Sequence, residues 1–367
     1  MPQDSSQTSS SVVAGEKSTI GFGVIGLGIG QAHIAAIHQT PGARLVAVAS
    51  TDAAALQATA SREGVPGYAD YHELLDRPDV DVVCVCTPSG THARVGIDAA
   101  RAGKNVLCEK PLDISLERAD ELIEACNKAG VKLAAVFQFR FHPLNRAIKQ
   151  AIDSGRLGRM IYADDHLYWF RAETYFTGGD PAGWHGTWAL DGGGAFINQG
   201  IHGIDLIQWL VGPVQSVFAK SGTFTHHIQT EDVGTAILTF ENGALGNVTC
   251  TTSAYPGLTN DFHFVGENGT IVTQDNRLVT WRIKGTSAEA EEAEEAATIA
   301  AFSTSGPNPA FDPRTVGGHG AHIADIIAAI RENRAPELDG RSARRGLALA
   351  LAIIESARKS KEVEVAR

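Results

Sequence analysis

The chain has 367 residues, 43% of them hydrophobic and 20% charged, so it is long enough for two domains and has the composition of a folded globular protein. Lys and Arg number 31 and Asp and Glu 42, which gives a formal net charge of −11 and argues against nucleic acid or an anionic membrane surface as a partner. The sequence contains no apolar run long enough to predict a transmembrane helix.

Residues 1–18 are rich in Ser, Gln and Thr and lack the basic and apolar regions of a signal peptide, so they predict a disordered tail. The cysteines fit neither a disulfide scaffold nor a zinc-binding spacing. They are Cys84, Cys86, Cys108, Cys126 and Cys250. Because Cys84 and Cys86 alternate within an apolar segment, a buried strand is favoured over a metal site. We therefore expect a reducing, cytoplasmic location and no metal centre.

Residues 19–140 alternate short apolar segments with helical ones, which is typical of a doubly wound parallel sheet. The predicted strands are 20–25, 44–50, 80–86, 105–108 and 131–137. The predicted helices are 31–39, 53–63, 70–75, 92–102 and 115–129. Gly64, Gly103 and Gly130 follow three of these helices, as C-terminal signals should.

The pattern changes after about residue 141, where a predicted helix (144–154) leads into alternating segments typical of an antiparallel sheet. The predicted strands are 160–170, 214–225, 230–240, 244–252, 261–266, 269–274 and 277–283, with hairpin turns at 241–243 and 267–269. The rest is predicted as a solvated helix or a mobile excursion (287–301), a Pro/Gly-rich loop (303–315) and helices at 319–332 and 342–360. Residues 141–367 thus predict an α+β domain whose large, mainly antiparallel sheet leaves one face open for oligomer contacts.

A glycine-rich loop follows the first predicted strand and precedes the first helix, within residues 21–33. Such glycines permit a tight turn and let the backbone approach a pyrophosphate at the helix N-terminus. This context predicts dinucleotide binding. The loop residues assigned to it are Gly26, Gly28, Ile29 and Gly30. In the usual spacing a third glycine would stand at position 31, which is Gln31, so the loop is one residue shorter.

The second strand ends in Ser50-Thr51-Asp52. An acid at this strand end normally binds the ribose hydroxyls of NAD, but Ser50 stands there and Asp52 lies two residues later. Ser50 and Thr51 could hydrogen-bond a 2′-phosphate, although no arginine follows directly. Both are candidate cofactor contacts, and NAD and NADP remain alternatives.

Three further segments carry a family pattern. They are Thr-Pro-Ser-Gly-Thr-His at 87–92, Ala-Gly-Lys-Asn-Val-Leu-Cys-Glu-Lys-Pro at 102–111, and Gly-Gly-Gly-Ala-Phe-Ile-Asn-Gln-Gly-Ile-His-Gly-Ile-Asp at 192–205. From about residue 20 to near the C-terminus the chain resembles the Gfo/Idh/MocA family. The resemblance implies a Rossmann domain, a C-terminal domain with an open sheet, and an NAD- or NADP-dependent oxidoreductase of sugars, nucleotide sugars or inositols, assembled as a homodimer or homotetramer. It also implies cofactor contacts from Thr87, Pro88, His92, Glu109 and Lys110.

Lys110 follows a strand at the edge where open α/β sheets bind ligands, and a lysine there can stabilise negative charge on a substrate oxygen. The resemblance suggests that it is the catalytic lysine of a Glu-Lys-Pro motif. Histidine titrates near neutral pH and suits proton transfer. We therefore predict Lys110 and His202 as the catalytic residues, with His202 the base in oxidation or the acid in reduction.

The spacing of Asn198, His202 and Asp205 places them on one face of a helix that begins after residue 194. Asp205 is a candidate to orient His202, with a structural cap or core hydrogen bond as the alternative. The family pattern often has an aspartate where this chain has Asn198. Since an amide cannot act as a base, proton transfer falls to His202 and Lys110.

An aromatic-rich segment at 168–188 predicts either sugar binding or packing. Arg171 could pair with an acidic group, as in a uronate or a nucleotide sugar. Arg140 is a candidate for the substrate or nicotinamide side, with a structural ion pair as the alternative. The substrate-binding candidates are Lys110, Arg140, Tyr168, Arg171, Trp184, Asn198 and His202.

Together these features predict an enzyme that passes a hydride between C4 of a nicotinamide and a secondary alcohol or ketone of a sugar, a sugar derivative or a cyclitol. One alternative is a glycosidase that uses bound NAD transiently. Another is a nucleotide-bound regulatory protein without turnover, against which Lys110 and His202 argue. The expected ligands are small molecules only.

Overall fold

The computed structural model describes residues 19–179, 181–302 and 318–367. The predicted N-terminal tail and the predicted loop at 303–315 lie outside the described residues. Within the described ranges, no helix is long and apolar enough to cross a membrane.

The N-terminal part is a six-stranded parallel sheet with the strand order β3-β2-β1-β4-β5-β6. Its strands are β1 Ile20–Ile25, β2 Ala43–Ala49, β3 Gly67–Tyr68, β4 Val82–Val85, β5 Asn105–Cys108 and β6 Leu133–Ala135. Its helices are α1 Gly30–Gln39, α2 Ala53–Glu63, α3 Tyr71–Leu75, α4 His92–Arg101 and α5 Leu116–Ala129. The order reverses between β1 and β4, which is where ligands bind in open α/β sheets.

The strands of this sheet are apolar on both faces because helices cover both faces. Every residue of β1 and of β4 is buried. The helix ends follow the predicted signals: the Ser115 hydroxyl accepts a hydrogen bond from the Arg118 N–H at the start of α5, and Gly64 and Gly130 end α2 and α5 in the left-handed conformation.

The C-terminal part is an eight-stranded sheet with the strand order β13-β12-β11-β7-β10-β9-β8-β14. Its strands are β7 Met160–Tyr168, β8 Val214–Gly222, β9 Val233–Phe240, β10 Leu245–Thr251, β11 Asn260–Gly266, β12 Gly269–Gln274, β13 Arg277–Ile283 and β14 Val363–Glu364. Its helices are α6 Pro143–Asp153, α7 Glu173–Thr177, α8 Ile201–Val211, α9 Ala288–Phe302, α10 His319–Arg331 and α11 Gly340–Lys359. Only β7 and β10 pair in parallel, so the predicted mainly antiparallel sheet is confirmed.

Helices α8 and α11 pack against one face of this sheet. On the opposite face Phe218 and Ile237 lie opposite each other on β8 and β9, with 40% and 57% of their surfaces exposed. This is the open face that the alternation of residues predicts.

Helices α9 and α10 contact different sheets. Helix α9, predicted as a solvated helix or a mobile excursion, is a helix with no fully buried residue, and it is tied to β13 by the Glu294 and Glu295 carboxylates. Helix α10 packs against α1, and its Ile323 and Ile326 share a core cluster with Phe22 of β1. A helix from the end of the chain therefore completes the packing of the N-terminal sheet.

Candidate active site

The glycine-rich loop lies at the carboxyl end of β1, against the end of β4. Gly26 has a φ of +93°, and a Cβ there would lie 2.3 Å from the Cys86 carbonyl oxygen, so only glycine fits. A Cβ on Gly28, by contrast, would meet no atom within 4 Å. The N-cap of α1 is Ile29, whose side chain makes no capping hydrogen bond. A loop with an open approach and an uncapped helix N-terminus fits the pyrophosphate of a dinucleotide.

At the end of β2 the acid does not face this loop. The Asp52 carboxylate caps α2 by accepting hydrogen bonds from the Ala54 and Ala55 N–H groups, at 2.9 and 3.0 Å. Ser50 is half-buried and Thr51 exposed at the same strand end. The strand end therefore presents hydroxyl groups, as the sequence indicates.

His92 connects the loop after β4 to the loop after β5. Its Nδ1 lies 2.6 Å from the Pro111 carbonyl oxygen and its Nε2 lies 2.7 Å from that of Thr87. Both ring nitrogens are used and the side chain is buried, so the predicted cofactor contact from His92 is replaced by a structural role. Thr87 and Pro88 are half-buried beside the glycine-rich loop.

The Glu109 carboxylate also faces the protein interior. Its Oε1 accepts hydrogen bonds from Nε2 of His33 (2.9 Å) and of His319 (3.2 Å), and its Oε2 accepts from the Lys110 N–H at 3.1 Å. Burial raises the pKa of this carboxyl, but the hydrogen bonds from His319 and His33 prevail and hold it well below its usual range.

This arrangement corrects the predicted cofactor role of the Glu109 side chain, which is 4% exposed and fully engaged by protein groups. His33, Glu109 and His319 are also the one group among the described residues whose ligand atoms lie close enough to hold a metal ion, within 4.8 Å of one another. The effect of this cluster is to fix the backbone of Lys110 between α1 and α10.

The Lys110 side chain leaves this support and reaches the C-terminal domain. Its Nζ donates a hydrogen bond to the Asn198 carbonyl oxygen at 2.7 Å. Burial lowers the pKa of the Lys110 ammonium, while Glu109 and Asp191 raise it and Arg171 lowers it further. The ammonium thus lies half-buried where the two domains meet, with hydrogens left for a substrate oxygen.

His202 lies in the first turn of α8, half-buried between the rings of Phe137 and Phe139, at centroid distances of 5.8 and 5.5 Å. Its Nδ1 is buried and, among the described residues, has no hydrogen-bond partner. Burial lowers the pKa of His202 to about 3, and the nearby Lys110 lowers it too. The imidazole is therefore neutral, as a base in alcohol oxidation must be.

The predicted helix that carries Asn198, His202 and Asp205 on one face is wrong. Residues Gly194–Gln199 form a π-helical turn, and α8 begins only at Ile201, so Asn198 lies on a separate element. Asp205 does not orient His202, because both of its carboxylate oxygens accept hydrogen bonds from Arg140, at 2.6 and 2.5 Å.

Arg140 is correspondingly a structural residue. It also donates to the Ser342 hydroxyl at 2.7 Å and is 8% exposed, so the ion-pair alternative replaces the predicted substrate contact. Tyr168 also lies outside the predicted substrate pocket. It alternates along β7 with the buried Leu167 and shares a face with His166, opposite the face covered by α8.

A polar network that the sequence did not reveal surrounds Asn198. The Asn198 Nδ2 donates to the Asp191 carboxylate (2.6 Å) and lies 3.1 Å from Nδ1 of His185. Its Oδ1 accepts hydrogen bonds from the Tyr175 hydroxyl (2.8 Å) and from Gln199. The sequence shows His185 and Tyr175 only as members of an aromatic-rich segment, because no regular spacing connects them to Asn198.

Arg171 borders this network. One guanidinium nitrogen donates to the Gln199 side chain at 2.6 Å, and the group lies over the rings of Trp169 and Tyr175, at 4.9 and 5.4 Å. Trp184 packs on His185 with a centroid distance of 3.7 Å. The structure therefore brings Lys110, Arg171, Trp184, Asn198 and His202 into one region.

Comparison with known proteins agrees with this architecture. Residues 20–137 match an oxidoreductase family with an NAD-binding Rossmann fold, and residues 145–272 match the GFO/IDH/MocA C-terminal domain. The WlbA dehydrogenase from Bordetella pertussis, solved in complex with NADH and UDP-GlcNAcA, is 33% identical, with a TM-score of 0.84 over 95% of this chain and 98% of that chain. Myo-inositol 2-dehydrogenase from Thermotoga maritima is 32% identical over 71% of this chain and 76% of its own. Inositol 2-dehydrogenase from Rhizobium meliloti is 28% identical over 95% of this chain and all of its own length.

Proposed function

The chain belongs to the GFO/IDH/MocA oxidoreductase family, with an NAD-binding Rossmann domain, and on this premise we propose that it oxidises or reduces a secondary alcohol or ketone on a sugar derivative. The observation that carries the proposal is the contact of the Lys110 ammonium with the Asn198 carbonyl, four residues before the neutral His202. A nicotinamide dinucleotide held by the glycine-rich loop would supply the hydride acceptor in oxidation or the hydride donor in reduction.

In the oxidising direction the two residues divide the remaining chemistry. His202 takes the hydroxyl proton of the substrate on Nε2, since its Nδ1 is closed off from solvent. Lys110 donates a hydrogen bond to the same oxygen and stabilises the negative charge that develops as the C–H hydride departs. The product is a ketone, and in reduction the proton returns from His202 to the oxygen.

Arg171 favours a substrate that carries an anionic group, such as a uronate or a nucleotide sugar. Its guanidinium donates to the Gln199 side chain and to the Phe170 carbonyl oxygen, and both of these acceptors are uncharged. A half-buried guanidinium beside an ammonium attracts a carboxylate or phosphate strongly. The bound UDP-GlcNAcA of the B. pertussis relative supports this substrate class.

The proposal is tested by a screen of the purified protein with NAD and NADP against neutral sugars, inositols, uronates and nucleotide sugars, followed by nicotinamide absorbance. A change with one compound defines the reaction, the cofactor and the substrate class together. Cleavage of a glycoside without net change in absorbance would instead support the transient-redox glycosidase. Tight dinucleotide binding without any reaction would contradict both enzymes.

Replacing Arg171 tests the anionic preference. We expect Arg171→Gln to lower kcat/KM for an anionic substrate by roughly 10–100-fold, because a charged hydrogen bond of about 1.5–3 kcal/mol is lost. The neutral analogue should lose less than threefold, and Arg171→Lys should retain part of the preference. Arg159→Gln, on an exposed arginine that pairs with Glu267, is the matched control. Equal losses on both substrates would refute the charge-recognition role.

Two glycine substitutions separate cofactor binding from folding. A Cβ added at Gly28 would meet no atom within 4 Å, so Gly28→Val should leave the free energy of unfolding within about 0.5 kcal/mol. It should weaken NAD(H) binding at least about tenfold, because it fills the approach to the loop. Gly26→Ala should instead destabilise the fold by about 1–3 kcal/mol. Fluorescence titration and denaturant unfolding measure both, and unchanged affinity in Gly28→Val would place the dinucleotide elsewhere.

We further propose a cytoplasmic homodimer or homotetramer that associates through the open face of the eight-stranded sheet. The exposed Phe218 and Ile237 on that face and the five free, buried cysteines support these two points. Sedimentation velocity at micromolar concentration tests the assembly, and a monomer would refute it.

A further inference from the structure

We propose that His185 is a further substrate-binding residue, which donates its Nε2–H to a hydroxyl or carboxylate oxygen of the substrate beside the reacting carbon. The inference rests on the proposed dehydrogenase function and adds a specificity-determining contact to the same site.

The position of His185 links it to the catalytic lysine. Its Nδ1 lies 3.1 Å from the Asn198 side-chain nitrogen, and the backbone carbonyl of the same Asn198 accepts the hydrogen bond of Lys110. The positive charges of Lys110 and Arg171 are near enough to His185 to lower the pKa of its ring. Three groups that can donate hydrogen bonds therefore lie around one region.

The hydrogen bonds of Asn198 determine which nitrogen of His185 carries the proton. Burial raises the pKa of Asp191 to about 7. Above that pH the Asp191 carboxylate can only accept and Tyr175 donates, so the Asn198 amide turns its NH₂ toward Asp191 and its oxygen toward Tyr175. The second hydrogen of this NH₂ then points to Nδ1 of His185, which must accept it. The one proton of the neutral ring is consequently on Nε2.

His185 also stays neutral. Burial lowers its pKa to about 4, and Lys110 and Arg171 lower it as well. The other titratable groups packed around it are Asp191, which holds Asn198, and Tyr175, which stacks on the ring. With Nδ1 occupied as an acceptor and Nε2 already protonated, His185 cannot act as a base in the way proposed for His202.

The ring is held firmly, and its donor remains accessible. The His185 ring stacks on Tyr175 with a centroid distance of 4.3 Å and an interplanar angle of 22°. The ring of Trp184 also contacts it, with a centroid distance of 3.7 Å. The residue is half-buried, and its Nε2 is not among the buried unpartnered atoms of the described residues. The fixed, neutral Nε2–H of His185, next to the cations Lys110 and Arg171, suits an oxygen-rich substrate that carries a hydroxyl beside the reacting carbon.

The test compares the wild-type enzyme with two variants. His185→Phe keeps the ring contacts but removes the donor, whereas His185→Gln places an amide N–H near the position of Nε2. We expect His185→Phe to lower kcat/KM by roughly 5–100-fold, because the substrate oxygen loses its hydrogen-bond donor, at a cost of about 1–3 kcal/mol. His185→Gln should restore part of the lost kcat/KM. Affinity for NAD(H) and the shape of the pH profile should not change. A substrate analogue without the neighbouring hydroxyl should lose rate with the wild-type enzyme but not with His185→Phe.

The outcomes are separable. A wild-type protein without any hydride transfer would refute the proposed function and this inference with it. An active wild-type protein with an equally active His185→Phe variant would refute this inference alone, as would the loss of a pH limb in either variant. Should His185→Phe fail to fold, nitrogen NMR of the wild-type histidines, assigned with His185→Gln, still decides. The inference requires the Nε2–H tautomer of His185 at pH values above the pKa of Asp191, and the Nδ1–H tautomer there overturns it.

Discussion

Lys110→Met is expected to lower kcat/KM for hydride transfer by about 10²–10³-fold, the effect of removing one donor to a developing oxyanion. Methionine preserves the apolar stem and much of the volume of lysine. Dinucleotide affinity should change by less than about threefold, because Glu109 and its histidine partners still hold the backbone of the loop. Steady-state kinetics and fluorescence titration of NAD(H) measure the two effects separately.

The pH dependence gives this prediction a second readout. Lys110 must be protonated to donate, so activity is present below its pKa and is lost as pH rises through it. Because burial lowers the pKa of Lys110, the alkaline loss should begin at lower pH than for an ordinary lysine. His202 is neutral above its pKa of about 3, so no acid loss is expected from it near neutrality. The Lys110→Met variant should lack the alkaline limb.

Lys104→Met is the matched control. The Lys104 ammonium also donates to a backbone carbonyl, that of Arg77 at 2.6 Å, but Lys104 precedes β5, at the opposite end of this strand from Lys110. This variant should retain wild-type kcat/KM and the alkaline limb. A Lys110→Met variant that turns over as fast as Lys104→Met would remove Lys110 from the mechanism.

The elements that the sequence predicts well are those whose signals are local. Strands β1, β5, β12 and β13 have the predicted bounds, because each is a short apolar or alternating segment between turn residues. The glycine-rich loop is also a local signal, since strand, turn and helix follow one another directly.

The predictions that were wrong concern residues whose contacts come from distant parts of the chain. Asp205 appeared available to His202 by helical spacing, but Arg140, 65 residues away in sequence, takes both of its oxygens. The π-helical turn at Gly194–Gln199 removed Asn198 from the expected helix face. His185 acquires its role only through Asn198, from a different segment of the chain. Neither periodicity nor spacing carries information about such contacts.

The buried Arg140–Asp205 pair leads to the largest expected effect on stability. Both side chains are nearly inaccessible, and the turn at residues 138–141 meets α8 and α11 there, so Asp205→Ala leaves a guanidinium charge buried without its partner. We expect the free energy of unfolding to fall by about 3–5 kcal/mol, measured by urea denaturation. In the double variant Arg140→Met, Asp205→Leu no charge is stranded, and most of the loss should be recovered.

Glu337→Ala provides the control for this effect. Glu337 pairs with Arg146 at 2.7 Å, yet 45% of the arginine and 50% of the glutamate side chain are exposed, so the change should cost less than about 1 kcal/mol. A similarly small loss of unfolding free energy in Asp205→Ala would mean that the guanidinium charge of Arg140 does not need Asp205 to balance it. In that case the guanidinium would be available to a ligand, and Arg140→Met would raise KM while leaving stability unchanged. A large loss of stability with the folded fraction retaining its KM would instead establish the pair as a structural contact between the turn at residues 138–141 and α8.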